Sequence, residues 1–98
     1  MTKLKVLIVD DEPDIRLELS DFIEEIAFEC VVAANGEEAL ATFKQDDAIH
    51  IVLSDLTMPG MTGLQLLERI AKDLDTKDRI RRFLLMTGNG DIHSVVDA

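Results

Sequence analysis

Basic residues are scarce in this 98-residue chain, which has ten Lys and Arg against twenty Asp and Glu and a formal net charge of −10. Because each contact with a nucleic acid phosphate needs a Lys or Arg, this balance argues against binding to a nucleic acid backbone or to an acidic membrane surface. The one basic cluster, Arg79, Arg81 and Arg82, is short, and we expect it to be a solvated strand edge or loop.

Cysteine is nearly absent as well. Cys30 stands alone, so no disulfide can form within the chain, and no Cys/His group has the spacing of a zinc site. No segment approaches the ~20 apolar residues of a membrane-spanning helix, and the first apolar run is too short for the core of a signal peptide. The 47% of hydrophobic residues still suffices for one core. We therefore expect a single cytoplasmic domain over residues 1–98.

Short aliphatic runs alternate with helical patterns along the chain. The runs predict strands at Leu4–Val9, Cys30–Ala33, His50–Ser54 and Phe83–Met86. Helix starts are predicted at Pro13, at Asn35 with Glu38, at Thr62 with Gln65, and at Asp91. Strands that alternate with helices predict right-handed crossovers and an α/β fold with a doubly wound parallel sheet.

Apolar residues three or four positions apart predict which face of each helix is buried. In the first helix this face includes Phe22, and in the third it includes Leu64 and Leu67. The segment after Asp91 is predicted as a fourth helix with Ile92, Val95 and Val96 inward.

Polar residues follow three of the four predicted strands directly. Asp10 and Asp11 end the first strand, Asp55 the third and Thr87 the fourth. In a doubly wound sheet these strand ends meet at one edge, where the ligand binds. Three carboxylates there need a compensating cation, and oxygen ligands favour Mg²⁺. Two other interpretations remain open: Asp10 and Asp11 as acids at the positive end of a helix, and Asp55 as a simple cap.

Four segments together carry a resemblance to a known family: VLIVDDEPD, NGEEAL, DLTMPGMTGLQLL and LLMTG. In order, spacing and strand position they resemble the receiver domains of two-component response regulators, over residues 3 to about 98. The resemblance implies a flavodoxin-like, CheY-like sheet with strand order 2-1-3-4, and the fifth strand and helix of the family are missing from this chain. A member of this family is itself a known example of a doubly wound sheet that binds its ligand at the carboxyl ends of the strands.

The resemblance also implies roles for individual residues. Asp55 matches the aspartate that accepts a phosphoryl group from a histidine kinase or a phosphotransfer protein. Asp11, Asp55 and the backbone carbonyl of Thr57 match the direct Mg²⁺ ligands, and Asp10 matches the acid that holds the ion mostly through water. Thr87 matches the hydroxyl residue that senses the phosphoryl group. Such a domain is a signalling phosphoacceptor that catalyses only its own phosphorylation and dephosphorylation.

The family pattern continues beyond this chain. A fifth strand and helix, with an aromatic switch residue and a lysine that grips the phosphoryl group, have no counterpart after Val96, Asp97 and Ala98. We expect the chain to be a domain incomplete at its C-terminus, either a fragment of a longer regulator or a unit completed by a partner chain. Its fourth strand is then expected to present an unpaired edge.

Two other functions are retained beside the phosphoacceptor. The first is a truncated or degenerate receiver that docks or dimerises without phosphorylation, through self-association or an output domain. The second is a magnesium-dependent phosphatase of the haloacid dehalogenase type, which needs Asp-x-Asp after its first strand, where this chain has Asp10-Asp11-Glu12.

Overall fold

The computed structural model of the protein describes residues 4–26, 28–73, 76, 78–87 and 91–97. Residues 94–97 are described by their backbone alone. It contains three helices and five strands within these ranges, in the order β1 (Lys5–Val9), α1 (Pro13–Glu25), β2 (Glu29–Ala33), α2 (Gly36–Gln45), β3 (Ile49–Asp55), α3 (Gly63–Lys72), β4 (Arg82–Met86) and β5 (Ile92–Asp97). All four strands predicted from the aliphatic runs are present, as are the first three helices. None of the helices in the described part of the chain is long and apolar enough to cross a membrane.

The strands form one sheet in the order β2-β1-β3-β4-β5. The first four are parallel, as predicted, and their order 2-1-3-4 agrees with the expected doubly wound arrangement. The predicted fourth helix is wrong: Ile92–Asp97 forms β5, which pairs with β4 in the antiparallel direction. The open edge of β4 offers backbone partners to this β-branched segment, and a short amphipathic pattern does not distinguish a helix from a strand.

Side chains on the two faces of the sheet pack into two unequal clusters. Alternate residues of β1 point to opposite faces, so Leu7 and Val9 join the larger cluster under α2 and α3, whereas Val6 and Ile8 join the smaller one under α1. Only the larger cluster contains buried aromatic rings, those of Phe43 and Phe83. The main core therefore lies between the sheet and the α2–α3 pair.

Helix α1 covers its face of the sheet only partly. It contains no fully buried residue, and the side chain of Phe22, predicted to point inward, is 61% exposed. Leu19 and Ile23, four positions apart as the predicted spacing requires, do pack against the smaller cluster. The spacing of apolar residues thus predicted the helix correctly but assigned it a wider buried face than it has.

The starts of α2 and α3 follow the predicted capping residues. The Asn35 side chain accepts a hydrogen bond from the Glu38 N–H at 2.8 Å. Thr62 and Gln65 form the full reciprocal box, in which each side chain accepts a bond from the backbone N–H of the other at 3.1 and 2.9 Å. Both caps satisfy N–H groups that have no partner within the helix.

Arg79 differs from the solvated residue that the sequence predicts. Its guanidinium lies 4.5 Å from the centre of the Phe43 ring. It donates to the backbone carbonyls of Phe43 and Asp46 at the end of α2, the latter at 2.7 Å. The side chain therefore closes the C-terminus of α2 with a positive charge, where the helix dipole favours one. Arg81 and Arg82 are exposed, as predicted.

Candidate functional site

The register of the sheet brings the predicted site residues to one edge. Val9 of β1 pairs with Ser54 of β3, and Asp55 pairs with Met86 of β4. Asp10, Asp55 and Thr87 are therefore carried to the carboxyl ends of neighbouring strands. The chain goes to one side of β1 to form β2 and to the other side to form β3, and a doubly wound sheet has its crevice where the order reverses in this way.

Three carboxylates meet at this point of the sheet. One oxygen from each of Asp10, Asp11 and Asp55 lies within 4.8 Å of the other two. Asp10 is buried, Asp55 is half-buried and Asp11 is exposed, so the cluster opens to solvent on one side. Convergent carboxylate oxygens with solvent access are the donor set of a hard divalent cation such as Mg²⁺, which keeps several of its waters.

The electrostatics of Asp10 favour such a cation. Burial raises the pKa of the Asp10 carboxyl above its ordinary value, and the charges of Asp55, Asp11 and Glu12 raise it further. A hydrogen bond from the Glu12 N–H to the Asp10 carboxylate, 2.9 Å long, opposes this increase in the pKa. The ionised form of Asp10 is thus destabilised by burial and by the neighbouring charges, and a bound cation would relieve this cost.

The loop after Asp55 is anchored at several points. Leu56 donates its N–H to the carbonyl of Met86 at 2.9 Å, and Gly63 donates to the carbonyl of Leu56 at 3.0 Å. Met58 and Met61 are buried in the main core, as expected for packing residues. Between them Gly60 has a φ of 83°, which glycine adopts without steric cost. These contacts hold the end of β3 and with it the Asp55 backbone.

Gly63 is a residue of this region whose role the sequence did not indicate. A Cβ at position 63 would lie 2.5 Å from the Asp55 carbonyl oxygen and 2.6 Å from Cδ2 of Leu85. Helix α3 therefore starts directly against the end of β3, and only glycine permits this approach. The same contact sets the rotation of the helix, so that Leu66 and Ile70, three and seven residues later, are buried. Leu64, predicted to point inward, is 48% exposed.

Thr57 and Thr87 lie near the acids, with partners of their own. Thr57 is exposed, and its N–H donates to the Asp55 carboxylate at 3.3 Å. Thr87 is half-buried one residue beyond β4, and its hydroxyl donates to the Asp91 carbonyl at 3.4 Å. The structure brings together the three aspartates and leaves the predicted roles of the Thr57 carbonyl and the Thr87 hydroxyl as predictions.

Arg16 is a second residue near the site that the sequence did not single out. It lies in α1, is half-buried, and donates from Nη1 to the backbone carbonyl of Asp10 at 2.7 Å. No pattern in the sequence marks it, since a cation in the second turn of an amphipathic helix is ordinarily a solvated residue.

Comparisons with known proteins agree with this arrangement. The model of the response regulator receiver domain family matches residues 6–98. The two-component response regulator PprB of Pseudomonas aeruginosa is 32% identical over 93 residues, which cover 95% of this chain and 34% of that protein. A probable chemotaxis protein CheY of Rhizobium etli is 35% identical over 91% of this chain and 67% of its own length. The chain thus spans about a third of PprB and two thirds of CheY.

Solved structures show the same likeness. The response regulator TrrA of Thermotoga maritima, crystallised in complex with Mg²⁺-BeF, is 37% identical over 88% of this chain and 70% of its own, with a TM-score of 0.77. TrrA in complex with the histidine kinase ThkA gives 37% identity and a TM-score of 0.76 over 89% of this chain and 70% of that one. The match over residues 6–98, on a sheet whose strand ends gather three aspartates, shows that the chain belongs to the family of response regulator receiver domains of two-component signalling.

Proposed function

We propose that Asp55 accepts a phosphoryl group from a phosphohistidine of a histidine kinase or a phosphotransfer protein. The observation that carries this proposal is the convergence of the Asp10, Asp11 and Asp55 carboxylates within 4.8 Å at the carboxyl edge of the sheet. Of the three, Asp55 ends the strand between β1 and β4, so acids of β1 lie on one side of it and Thr87 on the other.

We further propose that Asp10, Asp11, Asp55 and the backbone carbonyl of Thr57 hold Mg²⁺. The three carboxylates supply the oxygen donors that this ion prefers, and the solvent-exposed side of the cluster leaves room for water and for phosphoryl oxygens. When bound, Mg²⁺ screens the repulsion between the acids and an incoming phosphoryl group and neutralises charge on its equatorial oxygens. Support from a relative comes from TrrA, crystallised with Mg²⁺-BeF.

The covalent step transfers the phosphoryl group from a histidine nitrogen of the partner to Asp55. An Asp55 carboxylate oxygen forms a bond to phosphorus while the bond from phosphorus to the histidine nitrogen breaks, and the imidazole retains the electron pair. The Thr57 N–H, at 3.3 Å from the Asp55 carboxylate, keeps that carboxylate oriented. The product is an acyl phosphate, and the same site, with water as the acceptor, hydrolyses it. The chain is on this proposal a phosphoacceptor that promotes its own modification.

Thr87 is proposed to report the modification. Its hydroxyl contact with the Asp91 carbonyl, at 3.4 Å, is longer than the usual O–H···O distance of about 2.5 to 3.0 Å, so little is lost when the hydroxyl turns toward a phosphoryl oxygen. Asp91 directly precedes β5, and its carbonyl also accepts the Thr87 N–H at 2.9 Å, so this turn would remove one of two contacts between Thr87 and the start of the edge strand. A downstream partner, a second copy of the chain or an output domain would read that change, in the cytoplasm.

The test is an intact-mass spectrum after incubation with Mg²⁺ and acetyl phosphate. The unaltered chain is expected to gain the mass of one phosphoryl group, and Asp55→Asn is expected to gain none, because an amide oxygen is too weak a nucleophile for this transfer. Asp21→Asn, an exposed aspartate of α1, is the matched control and should be modified like the unaltered chain.

The second candidate is a docking module that works without phosphorylation. It would be favoured if the unaltered chain gained no mass under conditions that modify TrrA. Modification that persists in Asp55→Asn would instead show that another residue is the acceptor and would contradict the proposal.

A further inference from the structure

Asp10 is held by three hydrogen bonds that come from three different parts of the fold. Its N–H donates to the Ala33 carbonyl of β2 at 3.2 Å. Its carboxylate accepts from the Glu12 N–H at 2.9 Å, within the loop that leads to α1. Its backbone carbonyl accepts from Nη1 of Arg16 at 2.7 Å. The first bond joins two backbone groups and the second joins a backbone N–H to the Asp10 side chain itself, whereas the third depends on the side chain of another residue, Arg16.

The bond from Arg16 bears on Asp11 as well as on Asp10. The Asp10 carbonyl and the Asp11 N–H belong to the same planar peptide unit, so fixing the carbonyl oxygen fixes the direction in which Asp11 leaves the strand. Asp11 is exposed, whereas Asp10 is buried and Asp55 is half-buried. Among the three acids it is therefore the one whose placement depends most on the loop backbone.

Arg16 is well placed for a lasting contact of this kind. Its own N–H donates to the Glu12 carbonyl at 3.1 Å, so its backbone belongs to the regular hydrogen bonding of α1. A guanidinium is always charged and its bond to a carbonyl is charge-assisted, and here that bond links the helix to the end of β1. The bond goes to the backbone carbonyl of Asp10 and so does not occupy the Asp10 carboxylate, which belongs to the cluster.

We propose that Arg16 is a positioning residue for the metal site: through the Asp10 carbonyl it orients the Asp10-Asp11 peptide so that both carboxylates converge with Asp55. This inference rests on the proposed function, because it presupposes that these three acids bind Mg²⁺. Arg16 itself touches neither the ion nor the phosphoryl group. Its removal lowers the affinity for Mg²⁺ and leaves the sheet intact.

The test compares Mg²⁺ binding by isothermal titration calorimetry at constant ionic strength. Arg16→Met keeps the length of the side chain and removes the donor, and we expect its dissociation constant to rise roughly tenfold, the range found for residues that orient metal ligands. Arg16→Lys keeps a charged donor and is expected to recover part of the affinity. Arg81→Met makes the same change of charge at an exposed position and is the control.

A second measurement separates positioning from general destabilisation. In metal-free protein, amide shifts in a ¹H–¹⁵N spectrum of Arg16→Met are expected to change at Asp11 and Glu12 and to stay the same in α3. If Arg16→Met does not fold, Arg16→Gln answers the same question by the same criterion, because Gln retains helix propensity and loses the charge.

The outcomes are distinct. Mg²⁺ binding by the unaltered chain together with an unchanged affinity in Arg16→Met would overturn the role of Arg16 alone. An equal loss of affinity in Arg81→Met would also overturn it, because the effect would then be one of net charge. No Mg²⁺ binding by the unaltered chain would overturn the proposed metal site and this role with it.

Discussion

At the scale of the residue, Asp10 sets a conflict between stability and function. Its side chain is 4% exposed, and burial together with the neighbouring acids raises the pKa of its carboxyl in the folded protein. A hydrophobic residue or an amide at this position would avoid that cost. The proposed metal site requires the charge, so the cost is expected to be present in the metal-free protein and relieved by the ion.

The pH dependence of stability tests this conflict. Because the folded pKa of Asp10 lies above the unfolded value of about 3.9, its contribution to stability is full below that value and is lost as the pH rises through the folded pKa. Asp10→Asn is therefore expected to raise the free energy of unfolding of metal-free protein at neutral pH and to flatten its decline with rising pH. Asn retains an oxygen that can accept the Glu12 N–H.

The measurement is urea unfolding in EDTA followed by far-ultraviolet circular dichroism, since the chain contains no Trp or Tyr. Asp21→Asn removes one carboxylate at an exposed position and serves as the control. Addition of Mg²⁺ should stabilise the unaltered chain more than Asp10→Asn. A lower stability of Asp10→Asn at neutral pH would contradict the expectation.

At the scale of the element, the start of α3 couples helix packing to the site. Gly63→Ala places a methyl group 2.5 Å from the Asp55 carbonyl oxygen, and this backbone atom can yield only if the end of β3 moves. Ala is favoured over Gly by about 1 kcal/mol in a helix interior, an advantage that does not apply in full at the first helical position, whereas overpacking of this kind costs about 1 to 3 kcal/mol. We expect a net loss of stability, measured as above, and a weaker affinity for Mg²⁺.

Gly36→Ala is the matched comparison, because the nearest atoms to its Cβ would be Sδ, Cβ and Cγ of Met61, at 2.7 to 2.9 Å. A change of rotamer moves Sδ and Cγ of Met61 but not its Cβ, so Gly36→Ala is also expected to lower stability. Its effect on Mg²⁺ affinity is expected to be smaller than that of Gly63→Ala, because the contact is with Met61 and not with the Asp55 backbone. An equal loss of Mg²⁺ affinity at the two positions would contradict a specific role of Gly63 at the end of β3.

The helices also show which local signals suffice. The caps of Asn35 and Thr62 depend on residues three positions apart, and both were predicted correctly. The buried face of α3 was predicted incorrectly at Leu64, because its rotation depends on the contact of Gly63 with Asp55. Capping is decided within one helical turn, whereas the rotation of a helix is decided by the element against which it packs.

At the scale of the whole molecule, the sheet ends in an antiparallel strand. β5 pairs with β4 so that Leu84 lies opposite Ser94 and Met86 opposite Ile92. We expect extended ¹³Cα and ¹³Cβ chemical shifts over Ile92–Asp97 and nuclear Overhauser contacts between the backbones of Leu84 and Ser94. Helical shifts over the segment would contradict β5, and α3 provides the helical reference within the same spectrum.

The edge strand also bears on the expectation of an incomplete domain. The sequence predicts an unpaired edge at β4, whereas the structure pairs that edge with β5. Pairing satisfies the N–H and C=O groups along β4 that would otherwise face solvent or another chain. On the face of the sheet that α1 covers, Phe22 and Ile26 of this region are more than half exposed. This face is therefore less completely covered than the face under α2 and α3.

The sequence by itself determined the four parallel strands, the caps of α2 and α3, and the aspartates at the strand ends, and these features depend on short-range hydrogen bonding and on the burial of aliphatic runs. Only the tertiary structure decided the conformation of Ile92–Asp97, the rotation of α3, and the contacts of Arg16 and Arg79. Each of these depends on backbone groups that belong to another element: the edge of β4, the carbonyl of Asp55, the carbonyl of Asp10 and the carbonyls at the end of α2. Such groups become neighbours only when the chain has folded, and no local pattern of residues encodes their position.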